Sequence, residues 1–241
     1  IIAPAAPRPY ADEVGSDPGR LRVGIATSVG GNDTHPECVE ATERTGRLLE
    51  SLGHHVEVAH PPDLDDRALG VGFMAVWTTN AAAALETWGT IVGREVTEAD
   101  VEPLTWAQAE QGRTLTALRY VGALNQMQAF TRRVAQWWHD GFDLLLTPTL
   151  AHPPPPLGEL PPRGDNPLAD YGRVVAFVPF TPAFNVTGQP AISLPLGIST
   201  EGLPLGVQLV AGYGREDVLI RVASQLEAAA PWIERRPPIH A

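Results

Sequence analysis

The sequence predicts an α/β protein: a mixed β-sheet core flanked by helices, with a helical insertion at about 67–140. Three observations carry that expectation. A strand, an amphipathic helix and a second strand follow one another between residues 21 and 59. A long stretch then holds apolar residues at helical spacing. Finally, two apolar strand-like runs, Ala191–Leu196 and Leu205–Val210, are joined by a connection rich in Gly and Pro, the pattern of an antiparallel hairpin.

The elements follow in order. Residues 1–18 (IIAPAAPRPYADEVGSDP) repeat with neither helix nor strand period and read as an extended lead-in; residues 19–241 form the α/β domain. Leu21–Ala26 is a short β run. A helix begins at Thr34 or His35, with Pro36 in its first turn, and ends at Gly53. Its apolar positions Val39, Leu48, Leu49 and Leu52, joined by Cys38 and Ala41, recur at steps of three and four. His55–Ala59 is the second strand. A strand–helix–strand unit favours parallel pairing and a right-handed crossover. Ala68–Trp88 is one helix. Thr105–His139 is a longer one, broken near Gly112 or Gly122, with Tyr120, Leu124, Met127, Phe130, Val134 and Trp137 as its apolar stripe. Phe142–Leu146 returns to strand, the prolines at 153–156 hold an extended loop, and a last helix spans about Glu216–Ala229.

Of the 241 residues 44% are hydrophobic and 19% charged, which suits a packed core, and the net charge is −11. That acidity argues against nucleic acid or an anionic membrane as partner, since both need a basic footprint. No run approaches the ~20 apolar residues of a membrane span, and no signal segment opens the chain. The single cysteine, Cys38, cannot form an internal disulfide, which fits a reducing cytoplasm. The chain also contains no lysine: all 17 of its positive charges are arginine.

The residues that could carry chemistry each have a plainer reading. Gly30-Gly31 before a helix invites a phosphate site, but there is no G-x-G-x-x-G and no P-loop lysine, so a simple turn is expected. The seven histidines show no metal-ligand spacing, and alternation puts His54 and His55 on opposite faces; neither a metal nor a cofactor is expected. Cys38 lies near a helix start, where the dipole lowers a thiol pKa, yet it also falls on the buried stripe and reads as core filler. Six serines stand isolated, none in G-x-S-x-G. Ser193 should be buried beside a helix with its hydroxyl bonded to backbone. Trp77, Trp88, Trp106, Phe180 and Phe184 are core candidates, a minority of which should line a pocket.

The run from Phe180 to Gly214, FTPAFNVTGQPAISLPLGISTEGLPLGVQLVAGYG, resembles the closing segment of the amidase signature hydrolases. DLLLTPTLAHPPPPLG (143–158) resembles the strand and proline segment before it, and LRVGIATS with SLGHHVEVA (51–59) the strand–helix–strand unit that follows the family's Gly/Ser-rich signature. The three matches occur in the family's order and are closest in flavour to bacterial amidases of the aryl-acylamidase and cyclic-oligoamide hydrolase type. The resemblance implies the C-terminal half of that fold and hydrolysis of C–N amide bonds by a Ser–cis-Ser–Lys triad. It also implies that this chain holds no catalytic residue. The triad needs a lysine that can lose its proton on burial, which arginine cannot do, and there are no adjacent serines. What remains is cleft wall, with Trp77, Phe180, Phe184, Asn185 and Gln189 as substrate-binding residues. The implied partners are a small-molecule amide, the N-terminal amidase half, and a second copy in a homodimer. Two other readings stay open: a non-catalytic binding or scaffold protein on the same fold, and a nucleotide-binding α/β protein resting on the β-α-β unit alone.

Overall fold

The computed structural model describes residues 4–66, 69–160 and 166–237. The first residues of the lead-in, the expected helix start at Ala68 and His240 lie outside them.

Strand β1 (Arg22–Ile25) leads into helix α1 (Pro36–Ser51) and strand β2 (His55–Val58). His35 caps α1 through its ring, where Nδ1 accepts from the Glu37 N–H at 3.3 Å. The helix stops where Gly53 takes a left-handed φ of 97°. Of the expected stripe Cys38, Ala41 and Leu49 are buried, joined by Thr42, Thr45 and Gly46, whereas Val39, Leu48 and Leu52 are half-buried. The sheet is completed by β3 (Leu144–Pro148), β4 (Ala191–Ile198) and β5 (Pro204–Ala211), in the order β2-β1-β3-β5-β4. β1 pairs parallel with β2 and β3, while β5 runs antiparallel to β3 and β4. The sheet is therefore mixed.

Every residue of β3 is buried, because both faces of the sheet are covered there. Alternation along the strand divides the core in two. Leu144 and Leu146 pack with Val23, Val207 and Leu209 beneath α1 and α7 (Glu216–Ala229). Leu145 faces the other way, with Val210, Trp137 and Phe184.

The helical excursion consists of α2 (Leu69–Val92), α3 (Pro103–Arg113) and α4 (Ala117–His139). The break falls just beyond Gly112, where Thr116 caps α4 by accepting from the Arg119 N–H at 3.3 Å; Gly122 stays inside the helix. Phe130, Val134 and Trp137 of the expected stripe are buried. Strand β3 begins at Leu144 and not at Phe142, whose ring instead stacks on Trp137 with centroids 4.0 Å apart. Helices α5 (Pro167–Phe177) and α6 (Pro182–Thr187) were not expected.

Residues 4–18 carry one 3₁₀ turn, Tyr10–Glu13, which packs against α7. The Glu13 carboxylate is fully buried between Arg8 (2.5 Å) and Arg221 (2.6 Å). Those two guanidiniums hydrogen-bond it and hold its pKa down to about 2, against the cost of desolvation.

Candidate binding site

The Gly/Pro-marked segment before β4 is a short helix and not a loop. Pro182 sits at the start of α6, and Gly188, at φ 70°, ends it and turns the chain into Gln189 and Pro190. Proline at the first turn and glycine just past the end are helix punctuation as well as turn punctuation. This turn sets the side chains of the expected site. Phe180 is 2% exposed and packs with Val29 and Ala151, and Phe184 is 6% exposed among Ala26, Trp137, Leu145 and Val210. Both rings are foundation to a wall and not its surface. Asn185 is exposed. Trp77 lies on α2, stacked on Phe73, and its indole N–H donates to Gln108 Oε1 at 3.2 Å.

Gln189 alone of the five lines a cavity of about 490 Å³. That cavity opens between the end of α4, the α6–β4 turn and the β5–α7 turn, with Trp138, Phe142, Thr187, Tyr213 and Val218 among its walls. It lies at the rim where β3 begins and β5 ends, opposite the C-terminal ends of the parallel strands β1, β2 and β3. Gln189 is anchored there by its Nε2, which donates to the Ala211 carbonyl at 3.1 Å. Trp138, Thr187 and Tyr213 carried no signal in the sequence beyond their neighbours. The pair Trp137-Trp138 was a hint, since adjacent helical residues point about 100° apart and cannot both face the sheet.

One cationic side chain at the cavity is paired within the protein. Arg215 forks onto Asp217, with bonds of 2.9 and 3.2 Å. Burial pushes the Asp217 carboxyl up, but Arg215, the Val218 N–H and Arg221 outweigh it and hold it below the usual carboxylate range. Asp143 accepts from the Arg22 N–H at 2.8 Å.

Across the sheet, Ser193 is exposed on edge strand β4, contrary to the expectation of burial and a backbone partner. Its Oγ meets Thr149 Oγ1 at 2.7 Å. A second hydroxyl is no base, so this contact does not activate Ser193 as a nucleophile. Nearby, Gln208 Nε2 donates to Thr147 Oγ1 at 3.1 Å and to the Phe180 carbonyl at 3.3 Å, tying β5 to β3 and to the start of α6. Cys38 is core filler: it is buried, and desolvation pushes its thiol pKa up to about 11. His54 is structural, its Nδ1 accepting from the Leu21 N–H at 3.2 Å and its Nε2 lying 2.8 Å from Gln225 Oε1. The Gly30 N–H, the donor a phosphate would need, is met by Asp65 Oδ1 at 2.6 Å, and a carboxylate there repels an anion. Among the described residues no group of three His, Cys, Asp or Glu could hold a metal ion, and no helix is long and apolar enough to cross a membrane.

Comparison with known proteins fits this architecture. The family model Amidase matches residues 2–220. The chain is 40% identical over 248 aligned residues to the 6-aminohexanoate-cyclic-dimer hydrolase of Paenarthrobacter ureafaciens, covering 99% of this chain and 50% of that protein. A solved structure of 6-aminohexanoate cyclic dimer hydrolase superposes with a TM-score of 0.92 at 38% identity, over 99% of this chain and 51% of the other. A bacterial aryl acylamidase of the amidase signature family shares the fold, with a TM-score of 0.75 at 18% identity over 95% of this chain and 48% of that one. The chain thus spans about half the length of the relatives it matches, and it belongs to the amidase signature family.

Proposed function

We propose that this chain supplies the cleft wall and substrate-selecting elements of an amidase that hydrolyses the C–N bonds of carboxylic amides. A complementary N-terminal half would bring the Ser–cis-Ser–Lys machinery. The observation that carries this reading is the absence of any lysine in a chain that spans about half the length of its amidase relatives, while the resemblance to the amidase signature family implies a catalytic lysine. Arginine stays charged at every workable pH and cannot take the proton that the middle serine must pass on. Within the wall, Trp77, Asn185 and Gln189 are the proposed substrate contacts, and Phe180 and Phe184 brace α6 from behind. The substrate class is a small apolar amide, cyclic amides foremost, given the likeness to a cyclic-dimer hydrolase. The enzyme would work in the cytoplasm without a cofactor, and a homodimer is the expected assembly.

The edge strands support the need for a partner. β2 (HVEV) carries charge on its edge, whereas β4 (AISLPLGI) carries none over eight residues and exposes Ala191, Ser193 and Ile198. An uncharged edge of that length invites further strands.

Sequencing the DNA immediately upstream, with expression of the chain alone and together with that upstream segment, tests the reading. An in-frame lysine and Ser/Gly-rich signature, with hydrolysis of 6-aminohexanoate cyclic dimer only when both parts are present, is the expected result. A stop codon directly upstream, with ligand binding but no hydrolysis under any condition, would instead establish the non-catalytic scaffold.

A further inference from the structure

Helix α2 is 24 residues long, and Glu86 is its one charged side chain. A helix apolar on every side is ordinarily covered on every side. This one is covered on part of its circumference. Its second half buries Ala82 and Leu85 against Ala109 of α3, with Val96, Val101 and Trp106 around them. Helix α4 packs nearer the start of α2, where Gly72 approaches Ala123, Gln126 and Met127. The side opposite Ala82 and Leu85 is exposed. Asn80, Ala83, Ala84, Thr87, Trp88 and Ile91 recur there at steps of three and four and form one strip. Trp88 is 57% exposed and Ile91 65%.

The middle of the strip asks for no polar partner. The Thr87 hydroxyl donates back to the Ala83 carbonyl at 2.9 Å, so its hydrogen bonding is met within the helix. Charge and shape then select the occupant. The chain carries a net charge of −11, so a second copy is repelled over most of its surface and can approach through a strip that holds no charge. The same acidity turns away an anionic membrane, and a basic protein would gain nothing from a neutral strip. In shape the strip is its own complement, with one large ring, Trp88, beside two small side chains, Ala83 and Ala84. A two-fold contact puts the same patch on both sides. With the axis between Ala84 and Thr87, the two helices run antiparallel and each Trp88 lies over Ala83 and Ala84 of the second copy.

We propose that this strip is the face through which two copies of the chain associate, α2 against α2. The homodimer expected above thereby acquires a surface, one that is independent of the hydrolytic chemistry. The strip is about 17 Å long at 1.5 Å per residue. Two tryptophans and two isoleucines, with the alanines between them, bury about 800–1,200 Å² in total, the low end for a specific interface, so the pair forms reversibly at micromolar concentrations.

Sedimentation velocity from micromolar to several hundred micromolar, on the chain and on its complex with the upstream segment, tests the proposal. A monomer–dimer equilibrium is expected, which Trp88→Ala should weaken at least about tenfold. Ala84→Glu, which sets two carboxylates close to the axis, should abolish it while the exposed helix stays folded. Ala84→Cys should join two copies by a disulfide on mild oxidation, since Cys38 is buried; a cysteine in place of the exposed Glu227 on α7 should not. If Trp88→Ala does not fold, Ala84→Glu and the cross-link decide the question. A chain that stays monomeric at the highest concentration, or a dimer that survives both Trp88→Ala and Ala84→Glu, overturns the proposal. So does a one-to-one complex in which the upstream segment shields Ala84→Cys from a thiol reagent, or phosphatidylcholine vesicles that retain the parent and not Trp88→Ala, because either gives the strip to another occupant. Amide hydrolysis is not measured, so failure here leaves the hydrolytic reading standing.

Discussion

Replacing Gly112 by alanine should destabilise the helical excursion, whereas the same exchange at Gly122, one helix later, should stabilise it. A Cβ built on Gly112 lies 2.0 Å from the Thr78 carbonyl oxygen, 2.4 Å from its carbon and 2.9 Å from the Thr79 nitrogen. Ordinary non-bonded contacts between carbon atoms lie at about 3.5–4.0 Å, so α2 and α3 would have to separate by more than about 1 Å. The obstacle is backbone and cannot rotate away. Overpacking of this kind costs about 1–3 kcal/mol. Alanine returns at most about 1 kcal/mol of helix propensity, and less here, because Gly112 is the next-to-last residue of α3. The net expectation is a loss of about 1–2 kcal/mol. Gly122 is exposed in the interior of α4, with nothing within 4 Å of its Cβ position, so alanine there should gain about 0.5–1 kcal/mol. At about 2–4 °C per kcal/mol for a domain of this size, the two variants should melt several degrees apart on opposite sides of the parent. Urea unfolding followed by far-ultraviolet circular dichroism gives the same comparison, and hydrogen exchange localises the loss to α2 and α3. A Gly112→Ala protein as stable as the parent, or more so, would refute the close crossing of α2 and α3 and the reasoning from it.

The Glu13 carboxylate, held down to about 2 by Arg8 and Arg221, contributes stability that is fully present above its ordinary value near 4.5 and is lost as pH falls through about 2. Glu13→Gln should therefore lower the urea midpoint at pH 7, and its difference from the parent should shrink steadily on acidification; a difference independent of pH would show that the bonds to Arg8 and Arg221 are not made in solution. Cys38, with its thiol pushed up to about 11, should react with a disulfide reagent only as fast as the chain unfolds, so the rate should rise in urea in step with the unfolded fraction. Rapid labelling in native buffer would place the thiol at the surface.

What the sequence made legible is local. The β-α-β unit, the β4–β5 hairpin and α7 could be read because period-2 or period-3.6 patterns are bounded by residues with one physical meaning, Pro36 and Gly53 for α1 and the Gly197–Pro204 stretch for the hairpin. The family was legible for the same reason, as runs of neighbouring residues. α6 was missed because Pro182 and Gly188 punctuate helices and turns alike over so short a span. Ser193 was misplaced because alternation tells which face a side chain takes, and not whether another layer covers that face.

The sequence by itself determined the α/β class, the mixed pairing and the absence of lysine, since these depend on residue identity and spacing along the chain. Only the tertiary structure decided that Phe180 and Phe184 are buried in the core and that Trp138, Thr187 and Gln189 gather around one cavity. Those residues come from the end of α4, the α6–β4 turn and the rim of β5, which the sheet order, and no sequence interval, brings together. A pattern along a chain records which way each side chain points from its own element. What it meets there depends on how the elements pack.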